Sequence, residues 1–174
     1  LYVRDIFYGL FNINMSMEEE INKNAIRLYY NSKSLCTFFN KVLKIPSGPK
    51  KELSIPNYIK SNEGYLKCFL RGLFDTDGCT ILQKMGKYQY KLIKITTGCK
   101  AFAEELKVVL KSLEIKSYVC RKTWKNSVVY DVMIRRKHSF YRFMKLIKPK
   151  NNKGKINGDA RIRTPISRYR QLSV

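Results

Sequence analysis

From Glu63 onward, apolar positions recur with two clear periods. Within Tyr65–Phe74, residues Leu66, Phe69, Leu70, Leu73 and Phe74 fall three or four apart, which predicts a helix with one apolar face. Gly78 follows as its expected stop, in the left-handed conformation that glycine adopts freely. Cys79–Met85 and Tyr88–Thr97 read as strands, with Gly86-Lys87 where a hairpin turn belongs. Lys100–Leu113 returns to the helical period, turning Phe102, Leu106, Val109, Leu110 and Leu113 inward. Lys116–Thr123 and Val128–Arg135 alternate again across Trp124-Lys125-Asn126-Ser127, and a last helix is expected over Ser139–Ile147. The order is helix, two strands, helix, two strands, helix, an α+β plan.

Residues 1–60 carry a weaker pattern, with a strand expected over Ala25–Tyr30 and a helix over Lys33–Leu43. At an offset of 104 residues, Lys33–Lys44 aligns with Lys137–Lys148, and four of the twelve positions are identical. Lysine-rich turns follow both: Ser47-Gly48-Pro49-Lys50-Lys51 and Pro149-Lys150-Asn151-Asn152-Lys153. This predicts a degenerate or partial first repeat over 1–60, a complete repeat over 61–155 and a basic tail over 156–174. Phe7–Met15 is a weak echo of the segment around Leu70–Gly78, with Asn12 and Asn14 at the places of Asp75 and Asp77.

Charge changes the picture. Lys and Arg number 35 against 13 acids, a formal net charge of +22. Self-repulsion of that size opposes a compact state unless a polyanion relieves it, which makes nucleic acid the first candidate partner. An anionic membrane is the weaker candidate. No run of about 18 apolar residues is present, and the basic residues are not gathered in one juxtamembrane cluster. The five cysteines form no CxxC pair, which disfavours zinc and suits free thiols in an intracellular, reducing compartment, cytoplasmic or organellar. A single histidine, His138, excludes nuclease chemistry that needs two or three imidazoles. A metal here would be held by oxygen, which suits Mg²⁺. The chain opens at Leu1 without Met, as expected of a fragment or of a product of a longer precursor.

The stretch Leu70-Arg71-Gly72-Leu73-Phe74-Asp75-Thr76-Asp77-Gly78 resembles the LAGLIDADG motif of homing endonucleases, departing from it at Arg71, Phe74 and Thr76 in ways the family tolerates. The element order matches that family's αββαββα repeat; the resemblance covers residues 62–155 well and 25–61 in part. The residues make physical sense together. Gly72 and Thr76 lie four apart on one helix face, where small side chains permit close approach of a second helix. Asp77 is planted at a helix C-terminus, a poor place for an unpaired acid and a good one for a divalent cation. The resemblance implies a curved antiparallel sheet lying on double-stranded DNA. It also implies Mg²⁺ (or Mn²⁺) bound at Asp77, hydrolysis of phosphodiester bonds, and a supporting role for Asp75. It places a lysine of the basic pocket after the last helix, where Lys150 is the best match and Lys50 its counterpart in the first half.

Strand parity supplies the DNA surface. With Ile93 and Ile95 inward, Tyr88, Tyr90, Leu92 and Lys94 share the opposite face, along with Cys79, Ile81, Gln83 and Met85 of the preceding strand. Tyr118, Cys120 and Lys122 join them if Val119 is inward. The expected DNA contacts are Gln83, Lys84, Lys87, Tyr88, Tyr90, Lys94 and Lys122, with Arg121, Lys125, Arg135 and Arg136 meeting phosphates.

Cleavage of both strands needs a second acid. It would come from a first motif upstream in the same polypeptide or from a homodimer, unless a decayed first half leaves a binder impaired in cutting. Function therefore reads as a site-specific, intron- or intein-associated DNA endonuclease. The alternative is a non-cleaving relative, an RNA maturase on intron RNA or a DNA-binding regulator. A ribosome-associated RNA binder is a third possibility, which the intact Gly72/Asp77 motif disfavours.

Overall fold

A computed structural model describes residues 2–20, 25–45, 53–85, 87–124, 127–150, 154–156 and 160–161. They belong to two compact units, one running through Ile45 and one spanning residues 46–163.

The first unit contains α1 (Tyr2–Phe11), β1 (Ser16–Glu20), β2 (Ala25–Tyr29) and α2 (Lys33–Thr37), which continues as a π-helical turn over Phe38–Val42. Ser32 caps α2 by accepting a hydrogen bond from the Leu35 N–H at 3.1 Å. Phe7 and Phe11 of α1 pack against Phe38 and Phe39 with ring centroids 6.0–6.3 Å apart, so this unit is held by an aromatic cluster. The expected strand and helix are present at Ala25 and Lys33; α1 and β1 escaped the pattern.

The second unit contains α3 (Asn57–Lys60), α4 (Glu63–Asp77), β3 (Gly78–Met85), β4 (Tyr88–Thr97), α5 (Lys100–Ser112), β5 (Tyr118–Trp124), β6 (Ser127–Ile134) and α6 (Lys137–Ile147). Two short strands follow, β7 (Gly154–Ile156) and β8 (Ala160–Arg161). The sheet order is β5-β6-β4-β3-β7-β8, antiparallel except for the β3–β7 pair. Leu66, Leu70 and Phe74 of α4, Phe102, Leu106 and Leu110 of α5, and Phe140, Phe143 and Ile147 of α6 form one core with Ile93, Ile95, Val132 and Ile134 of the sheet. The three long helices thus bury one face of the central strands and leave the other to the remaining parity, as the alternation requires.

The unit's limits differ from those expected. Ile55 is in the core, its N–H donates to Glu105 Oε2 at 2.7 Å, and Lys60 Nζ donates to Oε1 of the same carboxylate at 2.7 Å. The segment before residue 61 therefore belongs to the second unit. At the other end β7 straddles residue 155, so the sheet continues where a tail was expected.

Gly78 is also not what the sequence suggested. Its backbone is extended, with φ −91° and ψ 162°, and α4 passes into β3 without a loop. The Gly78 N–H still donates to the Phe74 carbonyl. A Cβ at Gly78 would lie 2.5 Å from the Phe74 ring, 2.7 Å from its carbonyl oxygen and 2.8 Å from its Cα. Glycine is needed for close approach, not for a left-handed turn.

The first unit and the second half of the second follow one plan. Left-handed Asn12 (φ 53°) stands four residues before β1, as left-handed Glu114 (φ 60°) stands four before β5. Ser16 pairs with Tyr29 as Tyr118 pairs with Met133, and the helices begin at Lys33 and Lys137. Both end at left-handed lysines, Lys44 (φ 56°) and Lys148 (φ 49°). On this plan α1 matches α5, not α4. Asn12 is thus the counterpart of Glu114, and Asn12 and Asn14 do not stand in for Asp75 and Asp77.

Gly78→Ala is expected to destabilise the second unit by about 1–3 kcal/mol, because two of the three clashing atoms are backbone. Nothing lies within 4 Å of a Cβ built at Gly72, so Gly72→Ala is expected to raise stability by roughly 0.5–1 kcal/mol through helix propensity. Urea denaturation of the two variants should move the midpoint in opposite directions.

Candidate active-site helix and nucleic-acid interface

Helix α4 opens at Asn62, whose side chain accepts from the Tyr65 N–H at 3.0 Å, the usual N-cap arrangement. Glu63 in the first turn pairs with Lys67 at 2.5 Å, and that hydrogen bond, with the lysine's charge, holds the Glu63 carboxyl below its ordinary pKa. Arg71 Nε donates to the Ile147 carbonyl at 2.8 Å, tying the middle of α4 to the end of α6.

The motif residues separate by environment. Leu70 and Phe74 are buried, Gly72, Thr76 and Asp77 are exposed, and Leu73 is half-buried. The Thr76 hydroxyl donates back along the helix, with Gly72 O at 3.0 Å and Leu73 O at 3.2 Å, a geometry helices tolerate with slight bending. Gly72 and Thr76 thus present a shallow, open helix face.

The two acids play different parts. Asp75 accepts from the Lys150 N–H, at 3.0 Å to Oδ1 and 3.3 Å to Oδ2, and so anchors the chain that leaves α6 against the last turn of α4. This contact brings Lys150 to the same turn as Asp77. Asp77 has no hydrogen bond or ion pair among the described residues and is exposed at the point where α4 becomes β3. No group of three or more His, Cys, Asp or Glu gathers around it among the described residues. One free carboxylate beside the carbonyl end of a helix fits one arm of an oxygen-donor site for a divalent cation, and no second arm stands among the described residues. Lys50 lies outside the described residues.

The sheet's outward face carries most of the expected DNA contacts. Gln83 pairs with Tyr90, Cys79 with Lys94, Ile81 with Leu92 and Tyr118 with Met133, and Val119 packs on the core side. Tyr88 and Tyr90 are exposed and adjacent, with ring centroids 6.4 Å apart, and Lys87 is exposed just before them. The Arg135 guanidinium lies over the Tyr118 ring at 5.0 Å and reaches Met133 Sδ at 3.8 Å, so this cation is held on the outward face. Arg136 is exposed as the N-cap of α6. Arg121 departs from the group. It pairs with Tyr130, which packs toward the helices, and therefore stands at the edge of the opposite face. Lys84 stands opposite Gln89, one step out of phase with Gln83, and Lys125 lies outside the described residues.

One residue of this surface was missed. Asp131 is buried, 2% exposed, in the middle of β6 on the outward side. Its Oδ1 accepts from the Thr96 hydroxyl at 2.7 Å, and Lys122 Nζ and Lys94 Nζ lie 3.0 and 3.9 Å from Oδ2. The signal was a lone acid inside the apolar run Val128-Val129-Tyr130-Asp131-Val132-Met133-Ile134, with lysines at matching parity on both neighbouring strands.

A helix ending in an acid, leading without a loop into the first strand of a basic antiparallel sheet within an αββαββα unit, defines a LAGLIDADG-type domain. Residues 65–148 match the family described as LAGLIDADG-like domain. Residues 65–148 thus carry a LAGLIDADG-like domain, of the kind found in homing endonucleases and maturases. A search of curated proteins gave no match.

The division between the acids is measurable. Asp75→Ala is expected to cost roughly 1–3 kcal/mol, because it leaves the Lys150 N–H without its charged acceptor. Asp77→Asn is expected to change stability by no more than about 0.5 kcal/mol, as for other surface substitutions. Equal losses in thermal denaturation would contradict these roles.

Proposed function

We propose that this chain acts as a site-specific endonuclease on double-stranded DNA, borne by an intron or intein, with Asp77 as the metal-holding acid. The observation that carries the reading is the environment of Asp77. It is the motif's one unengaged carboxylate, fixed at the helix end and continuous with the strand that opens the basic sheet. The wider support is the charge of +22 and the run of Gln83, Tyr88, Tyr90, Lys94 and Lys122 along one sheet face. Such a face fits a major groove, where amide and ammonium groups reach base edges. Arg135 and Arg136, at its end, suit phosphates.

Asp77 would hold Mg²⁺, or Mn²⁺, against the scissile phosphate. Bound there, the cation would supply a more acidic water and stabilise charge on the leaving oxygen. Asp75 keeps the Lys150 segment beside that position, and the Lys150 ammonium would neutralise charge on the phosphate. The open face of Gly72 and Thr76 would receive a matching helix carrying the second acid, from the same polypeptide or from a second copy of the chain. A reducing intracellular compartment suits the five cysteines, all of which are free.

A non-cleaving reading, as a maturase on intron RNA or a DNA-binding regulator, keeps one specific support: among the described residues only α4 ends in such an acid. Selection from a randomised duplex library, followed by incubation with Mg²⁺, separates the readings. For an endonuclease, selected duplexes are cut. Asp77→Asn should lower the rate by roughly 100-fold or more, as for loss of a group that stabilises transition-state charge, while binding persists. In either case log K should fall linearly with log salt, by about 0.9 for each phosphate neutralised. Selective binding to structured intron RNA without cutting of any duplex would replace the nuclease reading by the maturase one.

A further inference from the structure

We infer that Asp131 is a positioning residue for sequence discrimination, one that holds the ammonium groups of Lys94 and Lys122 as fixed donors toward base edges. This rests on the reading of the outward sheet face as a duplex-reading surface.

An acid at the centre of a cationic, DNA-facing sheet opposes polyanion binding, so its presence needs a reason. Two features supply it. Asp131 is 2% exposed and therefore does not itself meet DNA, whereas the Lys122 side chain is 56% exposed and that of Lys94 21%. The acid lies beneath and the cations rise from it. Oδ1 is taken by the Thr96 hydroxyl, which fixes the carboxylate plane. Oδ2 receives no well-aligned hydrogen bond, although both ammonium groups converge on it. An unrestrained lysine is a long, mobile point charge suited to phosphates, whereas reading a guanine edge needs a donor at a set position. Tethering two lysines to one buried carboxylate exchanges phosphate attraction for direction.

The first unit shows that this is a choice of polarity. Its equivalent pair, Arg27 with Glu20, has the charges reversed, and there the central residue, Arg27, is itself exposed. The second unit alone sinks the acid and raises the cation.

Asp131→Asn tests the inference, because asparagine keeps an acceptor for Thr96 while removing the charge that restrains the lysines. Selection from a randomised duplex library is run with the wild type, Asp131→Asn, Lys94→Gln and Lys122→Gln. Affinity for the wild-type-selected duplex and for a random-sequence duplex is then measured against salt. The expected result for Asp131→Asn is a loss of about 10-fold on the selected duplex, the scale of one base contact. Binding to random duplex should stay equal or tighten, with a salt slope steeper by roughly one phosphate contact. A lysine substitution should relax selection at the same base pairs. A purely structural role predicts equal losses on both duplexes, and that result overturns the inference. If Asp131→Asn does not fold, the two lysine variants decide: selection profiles identical to wild type overturn it. Failure of the wild type to select any duplex overturns the DNA-reading proposal itself, whereas wild-type selection with an unchanged Asp131→Asn profile overturns only the role of Asp131.

Discussion

The close contact of Gly78 with Phe74 governs the arrangement of the site. Because no Cβ stands between them, the extended backbone of β3 begins against the last turn of α4 and no loop intervenes. Phe74 is fully buried and packs on Phe143 of α6 with ring centroids 5.5 Å apart. The helix end is thus wedged between the core and the sheet, and Asp77 is carried at the junction by rigid elements on both sides. Asp75 adds a second constraint, because its two oxygens hold the Lys150 N–H and bring the chain beyond α6 back to the same turn. An acid so placed is preorganised. What is fixed is its backbone, since the exposed carboxylate has no hydrogen bond or ion pair among the described residues.

The charge distribution follows a similar logic. Most of the 35 basic residues need no individual explanation, since a polyanion partner would screen them collectively. The informative group is the one that breaks the trend. Asp131 is buried, partnered and on the face where cations dominate. Leu92 and Met133, both buried on that same face, add apolar filling around it. The centre of the outward face is therefore closely packed, with Asp131 sunk in it and Lys94 and Lys122 rising from it.

Most of the second unit was legible because its periods are strict. The stripes of α4, α5 and α6, and the alternation of β3 to β6, place each apolar residue against one core. Legibility failed where side-chain pattern and backbone need part company. β1 is Ser-Met-Glu-Glu-Glu, with no apolar alternation, and exists through its ladder to β2. α3 is a single turn, and Ile55 is a lone buried residue, neither of which makes a period. Gly78 was rightly marked as a boundary but for the wrong reason, since sequence cannot tell a glycine needed for positive φ from one needed for close approach. Asp131 sits in an otherwise apolar strand, and only cross-strand register reveals its lysines. The acid at position 77 was legible through its family resemblance, whereas its lack of partners among the described residues is a matter of geometry.

The shared plan of the two units bears on what the site still lacks. Residues 2–44 reproduce the helix, paired strands and helix of α5 to α6, down to cross-strand register and the left-handed lysine that closes each. They do not reproduce α4, β3 and β4, the elements that carry the acid and the tyrosine-rich strand. The described chain therefore holds one acid-bearing half and two copies of the other half. A lone carboxylate binds a divalent cation weakly, because most of its ligands would remain water. A second carboxylate brought across the open Gly72–Thr76 face would change that, and a helix of the α4 type is the element shaped to do so. On the proposed reading, the partner would be defined by chemistry and shape together: an acid-ended helix with a small residue four before another on one face.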